Sequence, residues 1–393
     1  MSECRSVYVH IPFCRAKCAY CDFNSYARQE RLIPEYVEAL LREATFWAEK
    51  GAVGRVDTLY FGGGTPSLLP AAEAARLLVS LRRVFAIAGD AEITFEANPE
   101  SASPDHLRAL RRIGVNRLSL GVQSFDDGEL RLLRRIHDAA TAEEAFRAAR
   151  KAGFDAVSLD PIFGLPGQTL AAWQRSLERA VELAPEHLSL YALTLEDGTP
   201  LARRVARGEC AEPDADAQAD MYTWSSDRLA SAGYEQYEIS NWARPGRRCR
   251  HNLTYWRCEP YLGLGAGAHS YLGDWRFANV KSPRRYIAAV DRLDVAQAAD
   301  SPGAPAKLPQ VASAERLGAA TALADAMIMG LRLNDGVSPA SLERRFGVDV
   351  GERYRDEIAY LNDVGLLESV DGCMRLTARG RLLGNEVFQR FLP

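Results

Sequence analysis

Residues 8–23 read YVHIPFCRAKCAYCDF, a β-type run that leads directly into three closely spaced cysteines, Cys14, Cys18 and Cys21. Three thiolates on one short loop can hold three corners of a cubic iron–sulfur cluster and leave the fourth iron open. Structural zinc instead requires four closed ligands, and the nearest further cysteine and histidine give no familiar zinc spacing. The spacing therefore indicates an iron–sulfur site, with zinc as the alternative.

The sequence that follows this loop alternates between β-type and helical patterns. Including the run before the cysteines, six runs have the pattern of strands: 7–11, 56–61, 91–95, 117–120, 156–159 and 187–193. Five stretches between them have helical periodicity: 34–50, 70–85, 104–112, 141–152 and 170–183. A capping-box pattern formed by Thr141 and Glu144 predicts where the fourth helix begins. Such alternation predicts parallel strands joined by helical crossovers, which we interpret as an α/β fold with a partial (β/α)6 barrel.

The C-terminal part has a different pattern. A helix and a strand-like run fill 214–242, and a segment rich in Ala, Pro and Asp, 291–312, is interpreted as a linker or long surface loop. Helical patterns then cover 314–332, 339–346 and 352–364, followed by a hairpin with Asp371-Gly372 at its turn, which suits type I′. We predict three parts: a barrel with its extension, a connecting segment, and a smaller, mainly helical, winged-helix-like domain, at 1–275, 276–313 and 314–393. Residues 341–393 carry 8 Arg against 9 acidic residues, which favours a packing domain over a DNA-binding one.

Polar or glycine-rich segments stand where successive strands end. The second predicted strand ends in FGGGTP, residues 61–66, whose glycines allow a backbone to approach a ligand closely or simply to turn tightly. Glu96, Gln123 and Asp160 end the third, fourth and fifth strands. Because active sites of such barrels lie at the C-terminal ends of the strands, these residues are candidates for one site.

YVHIPFCRAKCAYCDF resembles the opening of radical S-adenosylmethionine (SAM) proteins of the oxygen-independent coproporphyrinogen III oxidase, or dehydrogenase, family. The resemblance implies a [4Fe–4S] cluster on the three cysteines, with SAM bound to the open iron and cleaved to a 5′-deoxyadenosyl radical. It also implies SAM contacts at the matching positions, which are Tyr8, Tyr20, Gly63, Gly64, Thr65, Glu96, Gln123, Arg135 and Asp160. By their chemistry, the two carboxylates suit an ammonium group or ribose hydroxyls, and the guanidinium suits a carboxylate.

Two features depart from the dehydrogenase pattern. Phe23 stands where the dehydrogenases have a further cysteine, and only 13 residues precede Cys14 where they have a longer arm. Residues 251–256, HNLTYW, instead match the HNxxYW motif of HemW, the heme-chaperone branch of this family. The resemblance therefore implies a heme chaperone, with a coproporphyrinogen III oxidase, a related methylating enzyme or a protein with a purely structural cluster as alternatives. We expect SAM cleavage but no coproporphyrinogen III dehydrogenase activity.

The HNxxYW segment supplies candidate heme ligands. Imidazole is the commonest protein ligand of heme iron and tyrosinate also serves, so we predict His251 as the axial ligand and Tyr255 as the second choice. Cys249 is a further candidate. Arginines at 244, 247, 248, 250 and 257 could pair with heme propionates. The alternative is a solvated basic loop beside a buried Tyr-Trp pair.

Composition indicates the cellular location and the kinds of partner that we expect. The 393 residues include 48 basic and 52 acidic side chains, and this slightly acidic balance argues against bulk binding of nucleic acid. No signal-peptide pattern and no run of about 18 apolar residues is present, so we expect a cytoplasmic protein without a transmembrane segment and leave a peripheral membrane contact open. The cysteine trio fits a reducing compartment. The resemblance implies two partner proteins, a heme acceptor and a reductant such as a flavodoxin or ferredoxin.

Overall fold

The cysteine-bearing loop follows β1 (Cys4–Ile11), a strand in the interior of a large mixed sheet. The computed structural model describes residues 4–293 and 305–393. Five more strands extend the sheet from β1 in chain order, each parallel to its neighbour: β2 (Val53–Gly63), β3 (Ala86–Ala97), β4 (Arg117–Gln123), β5 (Val157–Phe163) and β6 (His187–Ser189). The connecting helices are α1 (Ile33–Glu49), α2 (Ala71–Val84), α3 (Pro104–Arg112), α4 (Ala139–Lys151) and α5 (Leu170–Glu182). The predicted α/β fold with six parallel strands is confirmed.

The sequence did not predict how the sheet continues at its two edges. Beyond β6 the sheet continues with β7 (Glu235–Glu238) and β8 (Asn241–Ala243), which run antiparallel to their neighbours. On the other side, β9 (Tyr261–Leu264) pairs in parallel with β1, and an antiparallel meander follows it: β10 (His269–Leu272), β11 (Trp275–Asn279) and β12 (Val311–Arg316). The strand β9 carries no extended β-type run, so only its pairing with β1 reveals it. Three helices accompany these strands: α6 (Ala215–Ser231), α7 (Arg250–Trp256) and α8 (Pro283–Val290).

The segment predicted as a connection, 276–313, contains regular structure. Its start falls inside β11, α8 packs against α1, and β12 begins at Val311. Residues 294–304, the middle of the predicted linker, lie outside the described part of the chain. Both flanks are thus built into or onto the sheet, because β11 and β12 satisfy each other's backbone groups. The division into domains stays a prediction.

The C-terminal module has its own apolar core. It contains α9 (Ala319–Leu331), α10 (Pro339–Phe346), α11 (Arg355–Asp363) and a hairpin formed by β13 (Leu367–Val370) and β14 (Cys373–Leu376). The turn residues Asp371 and Gly372 have φ of 50° and 75°, as the predicted type I′ turn requires. Buried residues such as Met327, Leu361 and Phe391 form the core of this helix-and-hairpin module.

Short elements complete the structure. The short helices are Asp127–Leu132, Pro200–Ala206, Val350–Arg353, Ala378–Leu382 and Gly384–Phe388, and the short strands are Phe13–Cys14, Tyr26–Ala27 and Tyr191–Ala192. The predicted capping box was wrong: α4 begins at Ala139, since the Asp138 carboxylate accepts from the Thr141 N–H and caps the helix. Among the described residues, no helix is long and apolar enough to cross a membrane.

Candidate functional site

A cavity of about 400 Å³ lies at the C-terminal ends of the parallel strands, beside the cysteine loop. Its wall contains the three cysteines and eight of the nine residues predicted to contact SAM, which are Tyr20, Gly63, Gly64, Thr65, Glu96, Gln123, Arg135 and Asp160. Tyr8 is not in the wall; its hydroxyl bonds to His10 Nδ1 and its ring stacks on Tyr60. The fold therefore brings residues from six parts of the chain to one site.

The three cysteines of the loop are free thiols on the cavity wall, each beside a polar neighbour. Thr65 donates a hydrogen bond to Cys14 Sγ at 3.4 Å, and Arg135 donates to Cys18 Sγ at 3.2 Å. Such donors stabilise thiolates, so this loop fits an iron–sulfur cluster bound by three thiolates. Within the described ranges, no three His, Cys, Asp or Glu side chains are grouped as ligands of a single metal ion.

The glycine-rich loop packs directly against the cysteine loop. A Cβ on Gly64 would lie 2.8 Å from the Phe13 carbonyl oxygen, and one on Gly63, whose φ is 114°, would lie 2.5 Å from the His10 ring. The Gly64 N–H donates to the Ile11 carbonyl oxygen. Close packing between the two loops therefore already requires these glycines, and their contact with SAM stays a prediction.

Glu96 is held at the end of β3 by two donors. The Tyr60 hydroxyl donates to one carboxylate oxygen at 2.8 Å, and the Gly63 N–H donates to the other at 3.1 Å. Burial raises the pKa of Glu96 to about 7, although the bond from Tyr60 opposes the shift; the nearby Asp160 adds to it. A carboxylate with this pKa can change charge near neutral pH and can accept from an ammonium or hydroxyl group.

Gln123 ends β4 as predicted, whereas the prediction that Asp160 ends its strand was wrong: it is the fourth of the seven residues of β5. The hydroxyls of Ser119 and Ser158 donate to Asp160 at 2.8 Å each, while burial raises the pKa of its carboxyl. Gln123 has a φ of 64°, in the left-handed region that non-glycine residues rarely adopt. Strained backbone of this kind is frequent at ligand sites, and Gln123 lines the cavity here.

Arg135 joins the cysteine loop to β3 and β4. Besides its bond to Cys18, its guanidinium donates to Asn98 Oδ1 at 2.7 Å and to the Gly121 carbonyl oxygen at 3.0 Å. This side chain therefore positions the loop as well as lining the cavity. Sequence reasoning missed Asn98, although it follows Glu96 by two residues and lines the same wall.

The HNxxYW motif lies on α7, which packs against the interior of the barrel. The backbone N–H groups of Arg250 and His251 donate to Glu92 on β3 at 3.0 Å each, and this carboxylate fixes the start of α7. His251 is 1% exposed, and its two ring nitrogens bond to Thr58 at 2.8 Å and to Tyr255 at 2.9 Å. Burial lowers the pKa of His251 to about 3, so the ring is neutral.

Neither predicted heme ligand lines the cavity, since His251 and Tyr255 bond to each other inside the protein. Iron ligation by either one would require that bond to open. Arg248 pairs with Asp335 of the C-terminal module at 2.6 Å, and Arg250 donates to the Asp90 carbonyl oxygen. These two arginines thus serve intramolecular contacts in this structure, and their pairing with heme propionates stays a prediction.

The inner wall of the barrel contains polar residues that sequence reasoning missed. Along β4, residues 117, 119, 121 and 123 all line the cavity, whereas Leu118, Leu120 and Val122 are fully buried on the other face. Strands of a parallel sheet are usually apolar on both faces. The alternation of Arg117 and Ser119 with these apolar residues could therefore have predicted a polar inner face of the barrel.

The comparisons with known proteins agree with this geometry. Residues 8–180 match the radical SAM superfamily, and residues 317–383 match the HemN C-terminal domain. The heme chaperone HemW of Bacillus subtilis is 36% identical to this chain, over 99% of both chains. The chain belongs to the HemW family of radical SAM proteins. The HemW of Mycobacterium tuberculosis strain CDC 1551 / Oshkosh is 42% identical, over 98% of this chain and 94% of that one.

A solved structure gives the same picture of the fold. The coproporphyrinogen III oxidase HemN of Escherichia coli, described as a radical SAM enzyme, superposes with a TM-score of 0.83 at 27% identity. The match covers 99% of this chain and 90% of that one. Membership of the radical SAM superfamily implies a [4Fe–4S] cluster and SAM, and the cysteine loop and its cavity fit both.

Proposed function

We propose that this protein is a heme chaperone that holds a [4Fe–4S] cluster and SAM, binds heme and transfers it to an acceptor protein. The observation that carries the proposal is the near full-length similarity to proteins named heme chaperone HemW. The HNxxYW motif supports it, and so does Phe23, which stands where the dehydrogenases have a further cysteine. A heme-acceptor protein, a reducing flavodoxin or ferredoxin, and a cytoplasmic location remain parts of this proposal.

Within the site, Cys14, Cys18 and Cys21 would hold the cluster, which supplies one-electron reduction of SAM when both are bound. The chain's own residues bind and orient SAM. The carboxylates of Glu96 and Asp160 would accept from its ammonium or ribose hydroxyls, since both line the cavity and retain free acceptor capacity. The same carboxylates would attract the positive charges of SAM into a partly buried site.

Heme binding is the decisive property to measure. Anaerobically reconstituted protein should bind heme saturably, giving a defined Soret band and a fixed stoichiometry, with and without SAM. Transfer should then be visible as loss of that band when a heme-free acceptor is added. Binding that does not saturate, or that is equal for unfolded protein, would contradict the proposal.

The predicted ligand can be tested with two variants of the same hydrogen-bonded pair. If His251 ligates the iron, His251→Ala should shift the Soret band, whereas Tyr255→Phe should retain the position of the band because the imidazole remains. Because the His251–Tyr255 bond must open first, heme should also bind faster to Tyr255→Phe. An unchanged spectrum and affinity in His251→Ala would show that another group binds the iron.

Coproporphyrinogen III oxidase is the second candidate, favoured by the superposition with HemN. Phe23 argues against it, because the dehydrogenases have a further cysteine at this position. The Phe23 side chain lies in the cavity wall next to the cluster loop, and 65% of the residue is exposed. Reduced protein supplied with SAM and coproporphyrinogen III should form no protoporphyrinogen IX above background. Sustained turnover would instead establish the oxidase function.

A further inference from the structure

We propose that Arg117 binds the carboxylate group of a second organic ligand at the inner end of the cavity. The side chain lines the cavity but is only 5% exposed. Among the residues that the structure describes, its guanidinium makes no hydrogen bond and no ion pair within 4.0 Å. Burial opposes its charge, but the nearby Cys249 and Glu92 outweigh burial and raise the pKa of Arg117, so the guanidinium stays charged and its N–H groups are left for a partner that enters from the cavity.

The carboxylates near Arg117 are already bound by other groups. Glu96 accepts from Tyr60 and Gly63, and Glu92 accepts from the first N–H groups of α7. Asp160 accepts from two serine hydroxyls. These acidic groups lie close enough to influence Arg117 electrostatically, but none of them occupies its N–H groups. The donors of Arg117 are therefore left for a ligand.

The position of Arg117 separates this proposed site from Gln123 and the cysteine loop, whereas Glu96 and Asp160 lie nearer to it. Arg117 begins β4 and Gln123 ends it, so six steps of roughly 3.3 Å place their Cα atoms about 20 Å apart. The cysteine loop lies at the end of the cavity where the strands terminate. Arg117 thus reaches into the cavity from the opposite end of the strand.

The surroundings favour a singly charged carboxylate. A guanidinium presents two parallel N–H donors that match a carboxylate, and Ser189 and Asn252 add a hydroxyl and an amide to the same wall. The carboxylates of Glu96 and Asp160 line the cavity too, so a doubly charged phosphate would meet more repulsion than a carboxylate. This proposal goes beyond heme transfer and does not depend on it.

The test uses propionate, with propionamide and inorganic phosphate as comparison probes. Each is titrated calorimetrically into the cluster-loaded, SAM-saturated protein. Propionate should bind, and both comparison probes should bind at least about tenfold more weakly, because charge-assisted hydrogen bonds are the stronger ones. Arg117→Gln should weaken propionate binding by about tenfold or more. The matched control Arg112→Gln, an exposed arginine of α3, should leave it unchanged.

Each of three results would overturn the assignment. Equal propionate affinity in Arg117→Gln shows that Arg117 is not the counterion, and phosphate binding as tight as propionate excludes a carboxylate-selective site. If Arg117→Gln fails to fold or to retain the cluster, Arg117→Lys keeps the charge without the paired donors and should still weaken binding measurably. Unchanged affinity in that variant also overturns the assignment. Heme titration of the same proteins separates this outcome from failure of the chaperone proposal.

Discussion

The carboxyl group of Glu96 should make SAM binding depend on pH near neutrality. Burial raises the pKa of this carboxyl to about 7. At that pKa, about one-tenth of the Glu96 carboxyl groups are ionised at pH 6 and about nine-tenths at pH 8. If only the ionised form pairs with the cationic ligand, affinity should rise about tenfold over that interval, or about 1.4 kcal/mol. Replacement by glutamine should lower the affinity at pH 8 and remove most of this rise.

The assay is equilibrium binding of SAM to anaerobic, cluster-loaded protein at pH 6, 7 and 8. Glu143→Gln is the matched control, because Glu143 pairs with Arg147 and Arg179 on the outer helices, away from the cavity. It should retain the pH dependence of the parent protein. A tenfold rise that persists in Glu96→Gln, or an affinity that falls as pH rises, would refute the assignment of Glu96 as the ionisable partner of SAM.

The same shift has the opposite sign for folding. Because the folded protein holds the proton of Glu96 more tightly than the unfolded chain, this carboxyl favours the folded state at low pH. Its contribution is complete below the unfolded pKa of 4.5 and is lost as pH rises through about 7. Ligand-free Glu96→Gln should therefore lose less stability than the parent over that range in chemical denaturation.

Further predictions concern the cluster loop and the C-terminal hairpin. Cys18→Ala should lose the cluster's absorbance and SAM-sensitive electron paramagnetic resonance signal, because only two thiolates remain; normal iron content would contradict this. Gly372→Ala should cost about 1–2 kcal/mol of unfolding free energy. An added Cβ would meet no neighbouring atom, so the cost comes only from placing a residue with a side chain at a positive φ. Gly336→Ala should cost more, because its Cβ would also lie 2.2 Å from the Met374 carbonyl oxygen; equal midpoints in urea would disprove the difference.

Much of the barrel could be predicted because its signals are local. The six parallel strands follow from runs of β-forming residues, and the hairpin follows from a two-residue turn with positive φ at Asp371 and Gly372. The cysteine spacing and the strand-end residues identify the cavity for the same reason: parallel strands end at one edge. The unpredicted β9 has no such local signal, because it is a run of only four residues, Gly263 among them, that forms a strand through pairing with β1.

The sequence by itself therefore determined the fold class, the cluster loop and the family, because these are encoded in residue spacing along the chain. Tertiary structure alone decided what the HNxxYW residues contact. From the sequence, His251 stands in a basic loop; in the fold it is buried between Thr58 and Tyr255, because Glu92 on a distant strand holds the start of α7. Likewise, an arginine at the start of a strand is ordinary in sequence. Only closure of the sheet around it leaves Arg117 buried, unpaired and facing the cavity.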